Sequence, residues 1–134
     1  MTTENKATAP KAKKKILRAA DILSQSDVDY IDVPTPEWGE DSFVRLKTLT
    51  GLEATVFQRS METKAGKEDS LARIITLCAV DEEGKPLFTA DDVVDLKRKS
   101  LRVLNRLQDA ALKHNGFKVS GTIDADPVQN AKNG

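Results

Sequence analysis

The sequence predicts an α+β fold, mainly α, in which a short β-hairpin packs with four to five helices. Apolar and polar residues nearly alternate over about 28–33 and again over 42–49, which is typical of strands with one solvated face. Between residues 50 and 117 the apolar residues recur instead at helical spacing. A chain of 134 residues, 39% hydrophobic and 31% charged, has the size of one domain with a modest core.

Composition divides the chain into three parts. Residues 1–15 hold five lysines against one glutamate, and such a polar stretch, broken by Pro10, is expected to be a disordered basic arm. Residues 16–117 contain the periodic apolar residues and are expected to form the single α+β domain. Residues 118–134 contain glycine, proline and scattered polar residues without an apolar face, so we expect a flexible tail.

The first helical segment is predicted at the start of this domain. Ile16, Leu17, Ala20 and Leu23 recur at helical spacing, enough for two or three turns. A helix this short is marginal in water by itself, so its stability must come from packing against another apolar surface.

The predicted hairpin carries acidic residues on its first strand and Arg45 and Lys47 on its second, which favours pairing across the two strands. The alternation of the first strand breaks at Tyr30-Ile31, which predicts either a bulge or a strand covered on both faces. Because a two-stranded sheet is marginal and has unpaired edges, we expect self-association through this hairpin edge or through an apolar helix face.

The segment VPTPEWG, residues 33–39, predicts a wide corner between the strands instead of a two-residue loop. Pro36 presets the backbone for the second position of a turn, and Gly39 can adopt a positive φ. Trp38 either folds back over the apolar face of the hairpin or projects as a contact residue. Burial is favoured, because a tryptophan beside such a corner usually buries most of its surface.

Two helices are predicted after the hairpin. Thr50 and Glu53 have the spacing of a capping box, so a helix should begin there and end at TKAGK, residues 63–67. The next helix, EDSLARIITLCAV, spans 68–80 and is the most apolar segment, so we expect it at the centre of the core. The apolar stripes of the two helices comprise, in order, Leu52, Val56, Phe57 and Met61, and then Leu71, Ile74, Ile75 and Cys78 with Leu77 and Val80.

The last helices also have clear boundaries. Thr89, followed by two aspartates, predicts the cap of a short helix, with a break near 97–100 and a long helix to about 114. Asn115-Gly116 can supply a left-handed cap, after which Phe117 can pack back on the helix.

No combination of residues indicates catalysis, so the sequence predicts a protein that is not an enzyme, with no catalytic, cofactor-binding or metal-binding residue. One His and one Cys cannot make a structural zinc site, and Cys78 is expected to be a small buried hydrophobe in a reducing compartment. Asp27, Asp29 and Asp32 resemble a calcium loop only superficially, because Ile31 stands at the third ligand position. His114 is interpreted as a surface residue that complements a helix dipole.

The lysine-rich arm is the one feature that indicates nucleic-acid binding. Five positive charges would give weak, salt-sensitive and non-specific binding, so a solubilising arm is the favoured interpretation and nucleic acid an unfavoured partner. No apolar stretch approaches the roughly 20 residues that span a bilayer, and the N-terminus lacks the apolar core of a signal peptide. We therefore expect a cytosolic protein without a membrane partner.

The order of these segments resembles the tail assembly chaperones of long-tailed, siphovirus-type bacteriophages. The resemblance covers about 17–117 and includes the helix AADIL, the acidic strand leading into VPTPEWG, VRLKTLTGLE, LCAVDEEGKPLFTADDVVDL and LNRLQDAALKHNGF. Its best pieces are Trp38-Gly39, residues 49–53 and residues 81–89. The inserted Pro34-Thr35 and the lysine arm depart from the family pattern.

The resemblance implies a non-enzymatic protein of tail morphogenesis that binds the tape measure protein and helps to recruit tail tube subunits. It further implies a homo-oligomer in the cytoplasm of the infected bacterial host that is absent from the mature virion. Many members have a longer form made by programmed frameshifting, expected here near 131–133, where Ala-Lys-Asn codons can spell a run of adenines. The alternatives are a nucleic-acid-associated regulatory protein that uses the lysine arm and, more distantly, an enzyme completed by oligomerisation. The partner-binding face is not identified.

Overall fold

The structure is a computed structural model that describes residues 14–117, so predictions about 1–13 and 118–134 lie outside the described residues. Within this range the α+β, mainly α class is confirmed. The described elements are α1 (Ala19–Leu23), β1 (Tyr30–Pro34), a 3-10 turn (Pro36–Trp38), β2 (Phe43–Lys47), α2 (Gly51–Ser60), α3 (Lys64–Glu68), α4 (Ser70–Cys78), β3 (Ala79–Val80), a second 3-10 turn (Ala90–Asp92), α5 (Val93–Leu96) and α6 (Leu101–His114).

The predicted hairpin is confirmed, but the sheet has a third strand. β1, β2 and β3 lie in that order and pair antiparallel, with Leu46 opposite Ala79. The sequence prediction that helix 68–80 runs through Val80 is wrong, because the backbone turns from helical to extended at Ala79. Both residues are apolar and fit the helical stripe, so periodicity cannot separate the last helical turn from a short buried strand.

The outer edge of β1 offers less free backbone than a bare hairpin would. Pro34 at its end has no amide donor, and its carbonyl oxygen accepts a hydrogen bond of 3.0 Å from Arg106 of α6. The expectation of a two-stranded sheet is therefore wrong, because β2 is an inner strand, whereas β1 remains an edge strand with one end bonded to α6.

The pairing of β1 with β2 is unbroken from Tyr30 to Pro34, so no bulge accounts for the apolar pair Tyr30-Ile31. Ile31 packs against the core, while Tyr30 lies on the opposite, outer face. The Tyr30 hydroxyl lies 2.9 Å from the position that a Cβ atom at Gly84 would occupy. Tyr30 thus reaches the turn after β3, and Gly84, with φ +84°, leaves room for it.

Helix α2 begins as predicted. The Thr50 hydroxyl accepts a hydrogen bond from the Glu53 amide at 3.1 Å, and the Glu53 carboxylate accepts one from the Thr50 amide at 2.9 Å. The predicted apolar stripe is only half buried: Phe57 is in the core and Met61 packs against it, whereas Leu52 is 77% exposed and Val56 is 54% exposed. The Leu52 side of the helix therefore faces solvent.

Helix α2 ends at Ser60, before TKAGK, as predicted, but the sequence does not predict that Lys64–Glu68 form the separate short helix α3. The Thr63 hydroxyl caps α3 by accepting a hydrogen bond of 2.9 Å from the Gly66 amide. A Cβ atom at Gly66 would lie 1.7 Å from the Ser60 carbonyl oxygen. Glycine is present here because two helices approach closely, a tertiary contact that the sequence does not predict.

The centre of the core is α4, as predicted, packed against α6. Cys78 is fully buried, and this burial raises the pKa of its thiol to about 12, which makes it a poor nucleophile. The end of α6 also follows the prediction: Gly116 has φ +74°, and the Phe117 amide donates to the Leu112 carbonyl oxygen at 2.8 Å. Phe117 then packs against Phe57, with ring centroids 5.9 Å apart.

The segment between β3 and α6 matches its predicted boundaries. The Thr89 amide donates to the Asp92 carboxylate at 2.8 Å and begins the second 3-10 turn, which continues directly into α5. The chain breaks between Leu96 and Leu101, as the sequence predicts near 97–100. Among the described residues, none of the helices is both long and apolar enough to cross a membrane.

Candidate partner-binding surfaces

The main candidate surface is an apolar groove of about 350 Å³ between α2, α4 and the segment before α5. Phe57 and Val93 form buried parts of its wall, and Val56 stands exposed at its rim. Its full lining comprises Lys47, Glu53, Val56, Phe57, Ser60, Arg73, Thr76, Leu77, Pro86, Phe88, Ala90 and Val93.

The hydroxyl groups in this lining do not face an incoming ligand. Ser60 donates to the carbonyl oxygen of Phe57 at 2.6 Å, and Thr76 donates to that of Ala72 at 2.8 Å. Each hydroxyl is therefore bonded to its own helix, a common arrangement for Ser and Thr inside helices. The groove consequently presents mainly carbon to whatever enters it.

The charged groups of the groove are the close ion pair Lys47–Glu53 and the guanidinium of Arg73, whose ion pair with Asp69 is longer. Lys47 Nζ lies 2.6 Å from Glu53 Oε1; burial opposes ionisation of Glu53, but this ammonium and the Thr50 amide keep the pKa of Glu53 below its usual value. Arg73 Nη2 lies 3.9 Å from the Asp69 carboxylate. The Nε atom of Arg73 is buried without an acceptor among residues 14–117. The Arg73 side chain is 42% exposed, so the outer end of its guanidinium can donate to a carbonyl or carboxylate oxygen of a bound partner.

The second candidate is the N-terminal segment, defined here as residues 16–23, which includes α1. None of its residues is buried, and Ile16 and Leu23 are 87% and 83% exposed. Helix α1 is held only locally, because the Asp21 carboxylate accepts a hydrogen bond of 3.0 Å from the Arg18 amide. The sequence requires an apolar partner for this segment, and the rest of the described chain does not supply one.

The outer face of the sheet is a less apolar candidate. Asp32 and Arg45 lie opposite each other and form two hydrogen bonds, of 2.7 and 2.9 Å, which confirms the predicted pairing of acidic with basic residues. The exposed side chains of Phe43 and Leu87 border a hollow of about 390 Å³ beside this pair. An ion pair in the middle of the surface makes it poorly suited to a purely apolar partner.

The corner after β1 belongs to the scaffold. Thr35 is buried and its hydroxyl lies 2.9 Å from that of Ser42, so the corner closes on itself. Glu37 accepts two hydrogen bonds from Arg106, of 2.8 and 2.7 Å, which lower the pKa of its carboxyl to about 2. Trp38 is 38% exposed and borders a small hollow shared with Phe88, Leu96 and Lys99. It therefore covers the α5 region, not the apolar face of the hairpin.

Asp27, Asp29 and Asp32 do not converge on a common point. Asp32 is paired with Arg45. Within residues 14–117, no three His, Cys, Asp or Glu side chains are placed to hold a metal ion. His114 stands in the last turn of α6, as predicted, with Nε2 3.4 Å from the Asp29 carbonyl oxygen.

Four cations of the domain are held in close ion pairs, at 2.6 to 2.7 Å, which reduces the positive field available to a polyanion. The pairs are Arg45–Asp32, Lys47–Glu53, Lys97–Asp69 and Arg106–Glu37. The nucleic-acid alternative therefore depends on the lysine arm, most of which lies outside the described residues.

Sequence reasoning did not find the groove. Its walls come from separate segments between residues 47 and 93, and the local pattern of each segment is an ordinary helical stripe or loop. One feature of the sequence could have indicated the groove. The predicted apolar stripe of α2 includes Leu52 and Val56, which remain exposed after α2 has packed against α4. Sequence reasoning placed Asn115 in the cap of α6 but missed its tertiary contact: the side-chain oxygen of Asn115 accepts a hydrogen bond of 2.6 Å from the Leu49 amide and joins the end of α6 to the start of α2.

No protein-family model matches the chain, and no curated protein matches it. Among solved structures, the chain is similar to the tail assembly chaperone of bacteriophage HK97, with a TM-score of 0.53 and 18% sequence identity. The similarity covers 83% of this chain and 94% of that one. The protein thus has a fold like that of a tail assembly chaperone.

Proposed function

We propose that this protein is a non-enzymatic tail assembly chaperone of a bacteriophage. It binds the tape measure protein in the cytoplasm of the infected host, helps to recruit tail tube subunits around it, and leaves before the virion is complete. The chaperone-like fold supports the general role, and the sequence resemblance supports the choice of partner.

The observation that carries the proposal is the apolar groove on this fold. A chaperone for a long helical protein must cover apolar helix faces until assembly, and a groove between helices is the usual receptor for such a face. Val56, Leu77 and Phe88 provide the apolar contacts, while the lining hydroxyls are already bonded. The partly exposed Arg73 guanidinium adds a preference for segments with an acidic side chain or a free carbonyl beside the apolar face.

Coexpression with the tape measure protein tests this proposal. The chaperone should raise the fraction of tape measure protein that remains in the supernatant after centrifugation. Val56→Asp should abolish most of that gain, because it places a charge at the rim of the groove.

Val94→Asp is the matched control. Val94 is a helical valine with 59% exposure against 54% for Val56, but it lies outside the groove lining. Equal loss with both substitutions would show that the groove is not the binding surface. No gain from the unsubstituted protein would contradict the chaperone function itself.

We also propose a longer form that departs from this frame near 131–133. Extension there would leave the domain of residues 16–117 intact. Mass spectrometry of the protein made from its native gene, with the downstream sequence retained, should show two products. A single product ending at Gly134 would reject the longer form.

A further inference from the structure

We propose that, before the tape measure protein binds, the N-terminal segment of one copy occupies the apolar groove of a second copy. The occupant is thus residues 16–23 of this same chain, acting as an exchangeable placeholder. The idea that the tape measure protein and this segment bind the same groove rests on the proposed function, but the contact between two copies does not.

The first support is that the segment is ordered without a partner of its own. Helix α1 has five residues and no buried one, although isolated helices shorter than about 12 residues are marginal in water. Its local cap, from Asp21 to the Arg18 amide, satisfies one donor and buries no apolar surface. Ile16 and Leu23 remain almost fully exposed, so the segment needs an apolar receptor.

The second support is that segment and groove have matching chemistry. Ala20 and Leu23 lie one turn apart on α1, and Ile16 precedes the helix, so the segment presents exposed aliphatic side chains close together. The five residues of α1 extend about 7.5 Å, so the helix is a compact insert. The groove presents mainly carbon, as the segment requires.

Opposite charges also favour the binding of this segment to the groove. The Arg73 side chain is 42% exposed and its Nη2 lies 3.9 Å from the Asp69 carboxylate, so its guanidinium can take a closer acid, and Asp21 is the acid within the segment. Within the described residues the Asp21 side chain accepts one hydrogen bond, through Oδ2, which leaves Oδ1 for a guanidinium. An aspartate on the polar side of the inserted helix would place opposite charges together at the groove rim.

A second copy is favoured over the segment's own groove. The segment is folded outside its own groove, since none of its residues lines that groove and its apolar side chains face solvent. Exchange between copies leaves each segment in this position, whereas self-insertion requires it to leave. When two copies exchange their segments with each other, the two identical contacts close a dimer.

Disulfide trapping between two variants of the full chain tests the contact. Leu23→Cys protein carrying a size tag is mixed with untagged Val56→Cys protein in a mild thiol–disulfide buffer, and the mixed dimer is followed on a non-reducing gel. The native Cys78 is buried, with the pKa of its thiol raised to about 12, so it gives little background. We expect this mixed dimer to form roughly tenfold faster or more than the dimer of Leu23→Cys with Val94→Cys, because docking raises the local thiol concentration.

Three results would overturn the proposal. The first is equal trapping with Val56→Cys and Val94→Cys. The second is exclusive formation of the Leu23→Cys homodimer, which would mean that segments pair with each other. The third is a Leu23→Cys/Val56→Cys double variant that closes within single chains at all concentrations, which would mean that each segment enters its own groove.

Adding a purified helical fragment of the tape measure protein separates this inference from the proposed function. Slower trapping shows that segment and client compete for one groove. Unchanged trapping in the presence of excess fragment leaves the contact between copies standing and contradicts only the client's use of the groove.

Discussion

Helices α1 and α4 have the same kind of sequence and opposite environments. Both carry aliphatic residues at helical spacing, yet α1 has no buried residue while α4 has four, Ala72, Ile74, Ile75 and Cys78. Helix α4 lies between α2, α6 and the sheet, whereas α1 precedes the sheet and no described element covers it. Apolar periodicity therefore identifies a face that must be covered, but not whether the cover comes from the same chain.

The largest expected effect tests this contrast directly. Ile75→Ala should lower the free energy of unfolding by about 2–5 kcal/mol, because it removes a fully buried side chain and leaves a cavity. Leu23→Ala should change it by less than about 0.5 kcal/mol, as expected for an exposed position. Urea denaturation at low protein concentration measures both. A comparable loss for Leu23→Ala would mean that α1 packs within its own chain.

Two glycines also differ in how closely the rest of the chain packs against them: Gly66 is crowded and Gly51 is not. Gly66→Ala should cost about 1–3 kcal/mol or more, since its Cβ atom would lie 1.7 Å from the Ser60 carbonyl oxygen. Gly51→Ala, at the first residue of α2 with nothing within 4 Å of the new Cβ atom, should be neutral or slightly stabilising. Thermal unfolding of the two variants compares them, and a stable Gly66→Ala protein would show that α2 and α3 do not approach as described.

The helix caps give a smaller effect. Thr50→Ala should destabilise the protein by about 1 kcal/mol, the usual loss for an N-cap hydroxyl. Asp21→Ala removes the carboxylate that accepts a hydrogen bond from the Arg18 amide at the start of α1. It should leave the free energy of global unfolding unchanged, because α1 is outside the cooperative core. Chemical denaturation distinguishes the two, and an unchanged Thr50→Ala protein would place the start of α2 elsewhere.

The smallest expected effect depends on pH. The pKa of Glu37 is lowered by its hydrogen bonds with Arg106 from 4.5 to about 2. Its contribution to stability is therefore present above about pH 4.5 and is lost as the pH falls from there towards 2. Glu37→Gln should be less stable than the native protein at pH 7, with the difference shrinking by pH 3.

The control for this pH series is Glu62→Gln. Glu62 is an exposed residue that makes no ion pair within 14–117, so its substitution should leave the pH dependence of the native protein unchanged. Thermal unfolding between pH 3 and pH 7 provides the measurement. A stability gap for Glu37→Gln that is constant over this range would show that the Glu37 contribution is not ionic.

The elements with local determinants were predictable from the sequence. Thr50 with Glu53, Thr89 with its aspartates, and Gly116 before Phe117 each set a helix end through groups at most three residues apart. Errors arose where distant elements decide the outcome. Val80 became a strand residue because β2 lies beside it, and the close approach of α2 and α3 at Gly66 is not marked by the local pattern.

The sequence by itself determined the helix caps, the apolar core helix and the pairing of an acidic with a basic strand, because these depend on neighbouring residues and on alternation. Only the tertiary structure decided that Val56 would border a groove and that Arg73 Nε would be buried without an acceptor from residues 14–117. These properties depend on what remains uncovered after α2, α4 and the segment before α5 have packed. Uncovered surface is a property of three-dimensional packing, so a pattern along the chain does not specify it.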